Sequence, residues 1–216
     1  MRIGRVSLAR ERRQQIVEAY YRSILKHGIE GSSIVEIAAE ADLAPSMITH
    51  YFRSKDEMAM EFTRHVLQKY ENRYLAGREQ IADPWERLET VVRIMFSDQF
   101  IDQEMLRVFH AIIYRSSRSP EVRGALQAMY EGYCADLQKI LMQAAGPDML
   151  SADDAERAAI MLVAFQDGMH GHWLMNPTKA DPSMPQELLL TILRRYLGGK
   201  RGEIGKEMRR DESVDL

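Results

Sequence analysis

With 216 residues, 45% of them hydrophobic, the chain can bury a core as one large domain or as a small domain joined to a medium one. No run approaches the roughly 20 apolar residues of a membrane-spanning helix. Arg2, Arg5 and Arg10 are not followed by the apolar stretch of a secretory leader, so a cytoplasmic protein with no membrane partner is expected.

The net charge of −3 is unevenly spread. Residues 1–26 carry seven Arg or Lys against Glu11 and Glu18, whereas residues 71–216 carry 18 basic and 23 acidic residues. A basic head on an acidic body suits a chain that offers one end to a polyanion. Cys134 is the sole cysteine, so no intramolecular disulfide is available.

Strand signals are almost absent and helix signals recur, which predicts an all-α chain of about nine helices. Ile16, Ala19, Tyr20 and Ile24 outline a first helix over about 9–27, closed by Gly28. Ser33 and Glu36 have capping-box spacing and open a short second helix to Ala41. Pro45 suits the first turn of a third helix ending near Tyr51. A second box, Ser54 to Glu57, opens a fourth helix reaching Leu75, and Asp83-Pro84 opens a fifth with Trp85, Leu88, Val92 and Met95 on one stripe. A sixth is expected over about 103–115, a seventh from Pro120 to Ala145, an eighth from Ser151 to Asn176, and a ninth from Pro185 to Gly198. The charge-rich, core-poor residues 199–216 are expected to form a disordered tail.

Two short helices around the turn Ala41-Asp42-Leu43, sharing Ile34, Ile37, Ala38, Leu43, Ile48 and Phe52, match a helix-turn-helix over about 33–52. From Arg13 to Lys55 the chain closely resembles the N-terminal domain of the tetracycline-repressor (TetR) family. The resemblance rests on a helix ending at Gly28, a hydroxyl residue before Ile34-x-x-Ile37-Ala38, the turn, and His50-Tyr51-Phe52-x-x-Lys55. Beyond residue 75 it weakens to helix order and a few residues; within the family the chain is most similar to the BetI-like repressors of the choline-to-betaine pathway, through Ile48-Thr49-His50-Tyr51-Phe52 and the late Asp167-Gly168. Three positions depart from the family pattern: Asp42 stands for a turn glycine, Ala44 for a Ser cap, and Thr49 for a Tyr.

The resemblance implies a DNA-binding domain over 1–55, a ligand-binding and dimerisation domain over 56–198, and a homodimer on a palindromic operator, released by a small organic effector. Pro45, Ser46 and Thr49 would touch base edges, while Ser33, His50, Tyr51 and Lys55 would hold phosphates. A cation in the first turn of a helix opposes the helix dipole, so Lys55 is more easily explained by a phosphate than by helix stability.

In the family the last two helices pair with their twins. Ala164, Gly168 and Gly171 form a small-residue stripe on helix eight, with Leu188, Leu189, Ile192, Leu193, Tyr196 and Leu197 on helix nine. The expected interface comprises Ala164, Gly168, Gly171, Leu189 and Leu193. Helices five to eight are expected to enclose a cavity walled by Phe96, Phe109, Tyr114, Met129, Tyr133, Phe165, Met169 and Trp173. An aromatic cage suits a quaternary ammonium, although His170 replaces the subgroup's Trp after Asp-Gly-x.

No metal and no cofactor is expected. Asp167 and His170 share a helix face but supply only two ligands, and His172 points elsewhere. No nucleophile elbow, phosphate loop or dinucleotide fingerprint is present, so an enzyme is not expected. The rival readings are a helical dimer without a DNA role and a small-molecule enzyme.

Overall fold

The computed structural model describes residues 3–75, 81–97 and 102–211, with side chains described from 8 to 198 within those ranges. The described residues form nine α-helices and one 3-10 turn, with no strand. The helices are α1 (Ile3–Gly31), α2 (Ile34–Glu40), α3 (Pro45–Tyr51), α4 (Lys55–Leu75), α5 (Pro84–Met95), α6 (Gln103–Ser116), α7 (Pro120–Ala145), α8 (Ala152–Met175) and α9 (Ser183–Asp211), with the turn at Pro177–Lys179.

Local chemistry explains most of the boundaries. Gly28 interrupts α1 at φ +69°, ψ 172°, a conformation that glycine adopts without a Cβ clash. The carbonyl freed there accepts from Ser32 Oγ at 2.8 Å, and Ser23 Oγ donates to Ser32 Oγ at 3.0 Å, so this buried polar pair is satisfied. Ser33 caps α2 by accepting from the Glu36 amide at 3.2 Å. The reciprocal half of that box is replaced, because the Glu36 carboxylate lies 3.6 Å from His27. Asp42 takes the left-handed conformation, φ +53°, as the turn demands; a short polar side chain pays less for it than a branched one. Ala44 precedes α3 without a side-chain cap, and Pro45 at its first position supplies the fixed φ instead. Ser54, Asp83 and Ser151 cap α4, α5 and α8 through the amides three residues on.

Packing divides the described residues into two compact units, one drawn from 1–71 and 103–129, the other from 72–102 and 130–216. The apolar stripe of α6 (Met105, Leu106, Phe109, Ile112) is buried in the first unit, where Phe109 stacks on Tyr70 of α4 at 4.7 Å between ring centroids. The core of that unit also holds Ile16, Tyr20, Ile37, Ile48, Phe52 and Phe62, while Ile34 and Leu43 are only half-buried. The second unit buries Leu88, Val92, Met95 and Phe96 with Leu137, Leu141, Leu162, Trp173 and one side of α9.

Helix α9 runs past Gly199 to Asp211 as regular backbone, where composition suggests a structureless tail; residues 212–216 lie outside those described. Lys, Arg, Glu and Met have good helix propensity, which favours continuation once the helix is nucleated. No helix among the described residues is long and apolar enough to cross a membrane.

Candidate nucleic-acid interface and effector site

Helix α3 buries Ile48 and turns Pro45, Ser46, Thr49 and His50 outward, so four of the expected contact residues share one exposed surface. The Thr49 hydroxyl donates to the Ser46 carbonyl at 3.0 Å, so its proton is used within the helix. His50 lies edge-on to the half-buried Tyr51 ring, with centroids 5.1 Å apart. Ser33 is exposed at the start of α2. Lys55, in the first turn of α4, is half-buried on the wall of a polar cavity.

Arg13 has a role that its place in the basic head does not suggest. Its guanidinium donates to the Tyr51 carbonyl at 2.5 Å, to Glu57 at 3.0 Å and to Glu61, and lies over the Phe52 ring at 4.1 Å. It therefore ties α1 to the end of α3 and to α4. The bond to Glu61, against the opposing effect of burial, raises the Arg13 pKa. The Glu57 carboxyl is held below the usual carboxylate range, chiefly by the backbone N–H of Arg53 and then by Arg13. The available sequence signal is the spacing of Glu57 and Glu61, one turn apart on a single helix face.

In the second unit, Phe96 meets Phe165, His170 and Trp173 at centroid distances of 5.9, 6.1 and 6.2 Å. Nearby, Tyr133 Oη donates to Gln166 Oε1 at 2.8 Å, and Gln166 Nε2 donates to the Met95 carbonyl at 3.0 Å. His170 Nε2 is 3.1 Å from that same carbonyl, so both side chains serve the end of α5, where no helical partner remains. Tyr74 and Tyr130 donate to the carboxylates of Asp136 and Asp167, at 2.7 and 2.8 Å. Burial, then the Asp167 charge, pushes the Tyr130 hydroxyl pKa up. Gln166 was absent from the expected wall; a buried amide on an otherwise apolar helix face is its only sequence signal.

The expected aromatic wall is therefore brought together only in part. Phe96, Phe165 and Trp173 converge, Tyr133 reaches Gln166, and Met169 is half-buried on α8. Phe109, Tyr114 and Met129 belong to the other unit. There Phe109 stacks on Tyr70, and Tyr114 is 44% exposed with the Arg118 guanidinium 4.9 Å from its ring centroid, so Tyr114 is a surface residue.

The expected dimer residues also divide. Leu189 and Leu193 are only 5% and 3% exposed, buried in the chain's own core, so they do not offer a free surface. Their neighbours Leu188 and Ile192, 47% and 49% exposed, present the apolar face instead, together with Tyr196. On α8, Ala164 and Gly168 are exposed and Gly171 is partly so, in line with exposed Met161 and Met175. A Cβ built on Gly168 or Gly171 meets no atom within 4 Å, so packing within the chain does not require glycine there.

Residues 16–62 match the tetR family of bacterial regulatory proteins, and residues 84–199 match the C-terminal domain of the BetI-type transcriptional repressors. The chain is similar to the HTH-type transcriptional regulator BetI of Rhizobium meliloti (strain 1021), 31% identical over 167 residues covering 77% of this chain and 79% of that protein. BetI of Paraburkholderia xenovorans (strain LB400) is 29% identical over 179 residues, 79% of this chain and 84% of that one. Among solved structures, a Saccharomonospora viridis protein crystallised in complex with choline superposes with a TM-score of 0.74 at 22% identity, covering 86% of this chain and 96% of that one.

Proposed function

The chain belongs to the tetR family of bacterial regulatory proteins, with a C-terminal half of the BetI repressor type, and we propose that it acts as a homodimer on a palindromic operator from which a small organic effector releases it. It is a DNA-binding transcriptional regulator with a helix-turn-helix; the proteins it matches are regulators rather than enzymes. A cytoplasmic location, beside the DNA, is part of the proposal.

The observation that carries this reading is the outward face of α3, with Pro45, Ser46, Thr49 and His50 exposed together while Ile48 anchors the helix from behind. Such a helix enters the major groove, where small hydroxyl and apolar groups read base edges. Ser33, His50, Tyr51 and Lys55 then serve the phosphates. Lys55→Ala is expected to weaken binding to every sequence and to lower the salt slope by about one, whereas Thr49→Ala changes sequence preference. A gel shift with the DNA upstream of the protein's own gene, at several salt concentrations, measures both. Unchanged affinity and slope in Lys55→Ala would refute the docking.

The effector is proposed to bind around Phe96, Phe165, Trp173 and Tyr133. Tyr133 meets the Tyr74 ring at 4.4 Å and Tyr74 donates to the Asp136 carboxylate, and aromatic rings beside a carboxylate favour an organic cation. The choline found with the Saccharomonospora viridis protein supports the same class. Recognition helices of a dimer must sit roughly 34–36 Å apart, and an effector acts only by preferring a state in which they do not. Helix α4 runs unbroken from Lys55 to Leu75, and the shift is proposed to travel along it. Quaternary ammonium compounds should raise the melting temperature and release DNA together, and Phe165→Ala should weaken both effects. A compound that raises the melting temperature without displacing DNA would sink the coupling.

A further inference from the structure

A cavity of about 230 Å³ opens in the first unit among the end of α1, the start of α4 and the corner between α6 and α7. Its wall carries three cations, Lys55, Arg115 and Arg118, against two carboxylates, Glu30 and Asp56. The opposing charges are not equally placed. Arg115 is the inner residue, its side chain 20% exposed, and the Asp56 carboxylate that it binds at 2.6 Å is 87% exposed. Water and salt screen that carboxylate far more than the guanidinium it serves. Arg115 Nε is buried and has no hydrogen-bond partner. Arg118 and Glu30 pair at 3.2 Å on the rim, both well exposed. Lys55 has no carboxylate partner among the described residues, and it stands in a first turn where the helix dipole disfavours a cation.

The inner wall is thus short of negative charge. We propose that this cavity binds a small tetrahedral oxyanion carrying two negative charges, of the inorganic phosphate class. Two guanidinium groups supply planar forks of N–H donors suited to phosphate oxygens, and Lys55 adds a mobile point charge. Ser119, the cap of α7, lies on the same wall, but its hydroxyl donates to Glu121 at 3.0 Å and is not among the anion's donors. At roughly 30 Å³ per water, the volume holds such an ion together with several waters. An ion bound there draws on Lys55, so it opposes operator binding; this consequence rests on the DNA contact proposed for Lys55, whereas the binding itself does not.

The phosphate has two sources, the free ion and the DNA backbone, and one experiment separates them. Inorganic phosphate is titrated calorimetrically into the full DNA-free chain at constant ionic strength, with chloride as the control ion. Saturable binding at one site per chain is expected, weakened about tenfold or more by Lys55→Gln and by Arg118→Gln, which is roughly 1.4 kcal/mol or more. Melting curves verify folding, and the exposed Arg118 variant decides alone if Lys55→Gln does not fold. Arg118→Gln is then assayed on duplex DNA across salt. Loss of phosphate binding with an unchanged salt slope assigns the cavity to the free ion; loss of both assigns it to the DNA backbone. Absence of saturable binding, a response equal to that of chloride, or full binding by folded Arg118→Gln overturns the proposal.

Discussion

Arg13→Gln is expected to cost about 2 kcal/mol of stability and to weaken operator binding by at least about tenfold. The substitution removes the donor to the Tyr51 carbonyl, the pairs with Glu57 and Glu61, and the cation over Phe52. It leaves two carboxylates one turn apart on α4 without their cation. The stability estimate stays at the low end for charged hydrogen bonds because Arg13 is 28% exposed and its partners somewhat more, so solvent screens the pairs. For a chain of this length the loss corresponds to a melting temperature lower by roughly 4–8 °C. The larger consequence is positional: Tyr51 ends α3, the proposed recognition helix, and Arg13 fixes that end against α1 and α4. Arg13→Lys keeps the charge but not the planar fork, so it should recover stability better than affinity.

The same junction sets a pH dependence. The folded Glu57 pKa lies below the ordinary carboxylate value, so its contribution is present above that ordinary value and fades as pH falls through the folded one. Thermal melts and gel shifts from neutral to acid pH test both statements. An Arg13→Gln protein that melts and binds as the unmodified chain does would remove Arg13 from the junction.

Gly168→Leu is expected to turn the proposed dimer into folded monomers. Inside the chain the added side chain has room, since a Cβ at this position meets nothing within 4 Å. It replaces glycine by a good helix former, so the monomer should melt no lower than before. In the proposed dimer the glycine lies on the α8 face that approaches its twin, in line with Met161, Ala164, Gly171 and Met175. Overpacking costs about 1–3 kcal/mol per site and two-fold symmetry applies it twice, so dimer dissociation should rise by roughly 30-fold to 10⁴-fold. Operator affinity should fall with it, because one recognition helix cannot span two half-sites. Leu188→Asp should act in the same direction, while Leu189→Asp should unfold the chain, since Leu189 is core. Sedimentation of each variant, with melting curves alongside, separates these outcomes. A fully dimeric, stable Gly168→Leu protein would move the interface elsewhere.

The secondary structure and the nature of the DNA-binding head were legible from the residues because their signals are local. Caps at Ser33, Ser54, Asp83 and Ser151 and the prolines at 45, 84 and 120 set helix starts within a residue or so, since each acts on amides three positions away at most. Even Asp42, an unusual turn residue, takes the left-handed conformation that its position between two helices requires. The outward set on α3 follows from the same logic, because one buried residue, Ile48, fixes the rotation of a seven-residue helix.

Tertiary packing alone decided which of two adjacent apolar rows becomes core. On α9 the rows Leu188, Ile192, Tyr196 and Leu189, Leu193, Leu197 are both apolar and differ by a single residue of rotation, about 100° on a helix. Periodicity cannot rank them; the packing of α9 against α5 buries the second row and leaves the first to solvent. Likewise Phe109 and Phe96 carry the same apolar signal, yet one stacks on Tyr70 and the other joins Trp173, because α6 and the end of α5 pack in different units. Arg13 shows the same limit for charge. It belongs to the basic head that suits a polyanion, and only folding brings Glu57 and Glu61, more than forty residues away, close enough to claim it. Sequence periodicity and capping report the free energy of a helix against its own neighbours, whereas which face is buried, and which ion meets which, depends on contacts between segments that the order of residues does not encode locally.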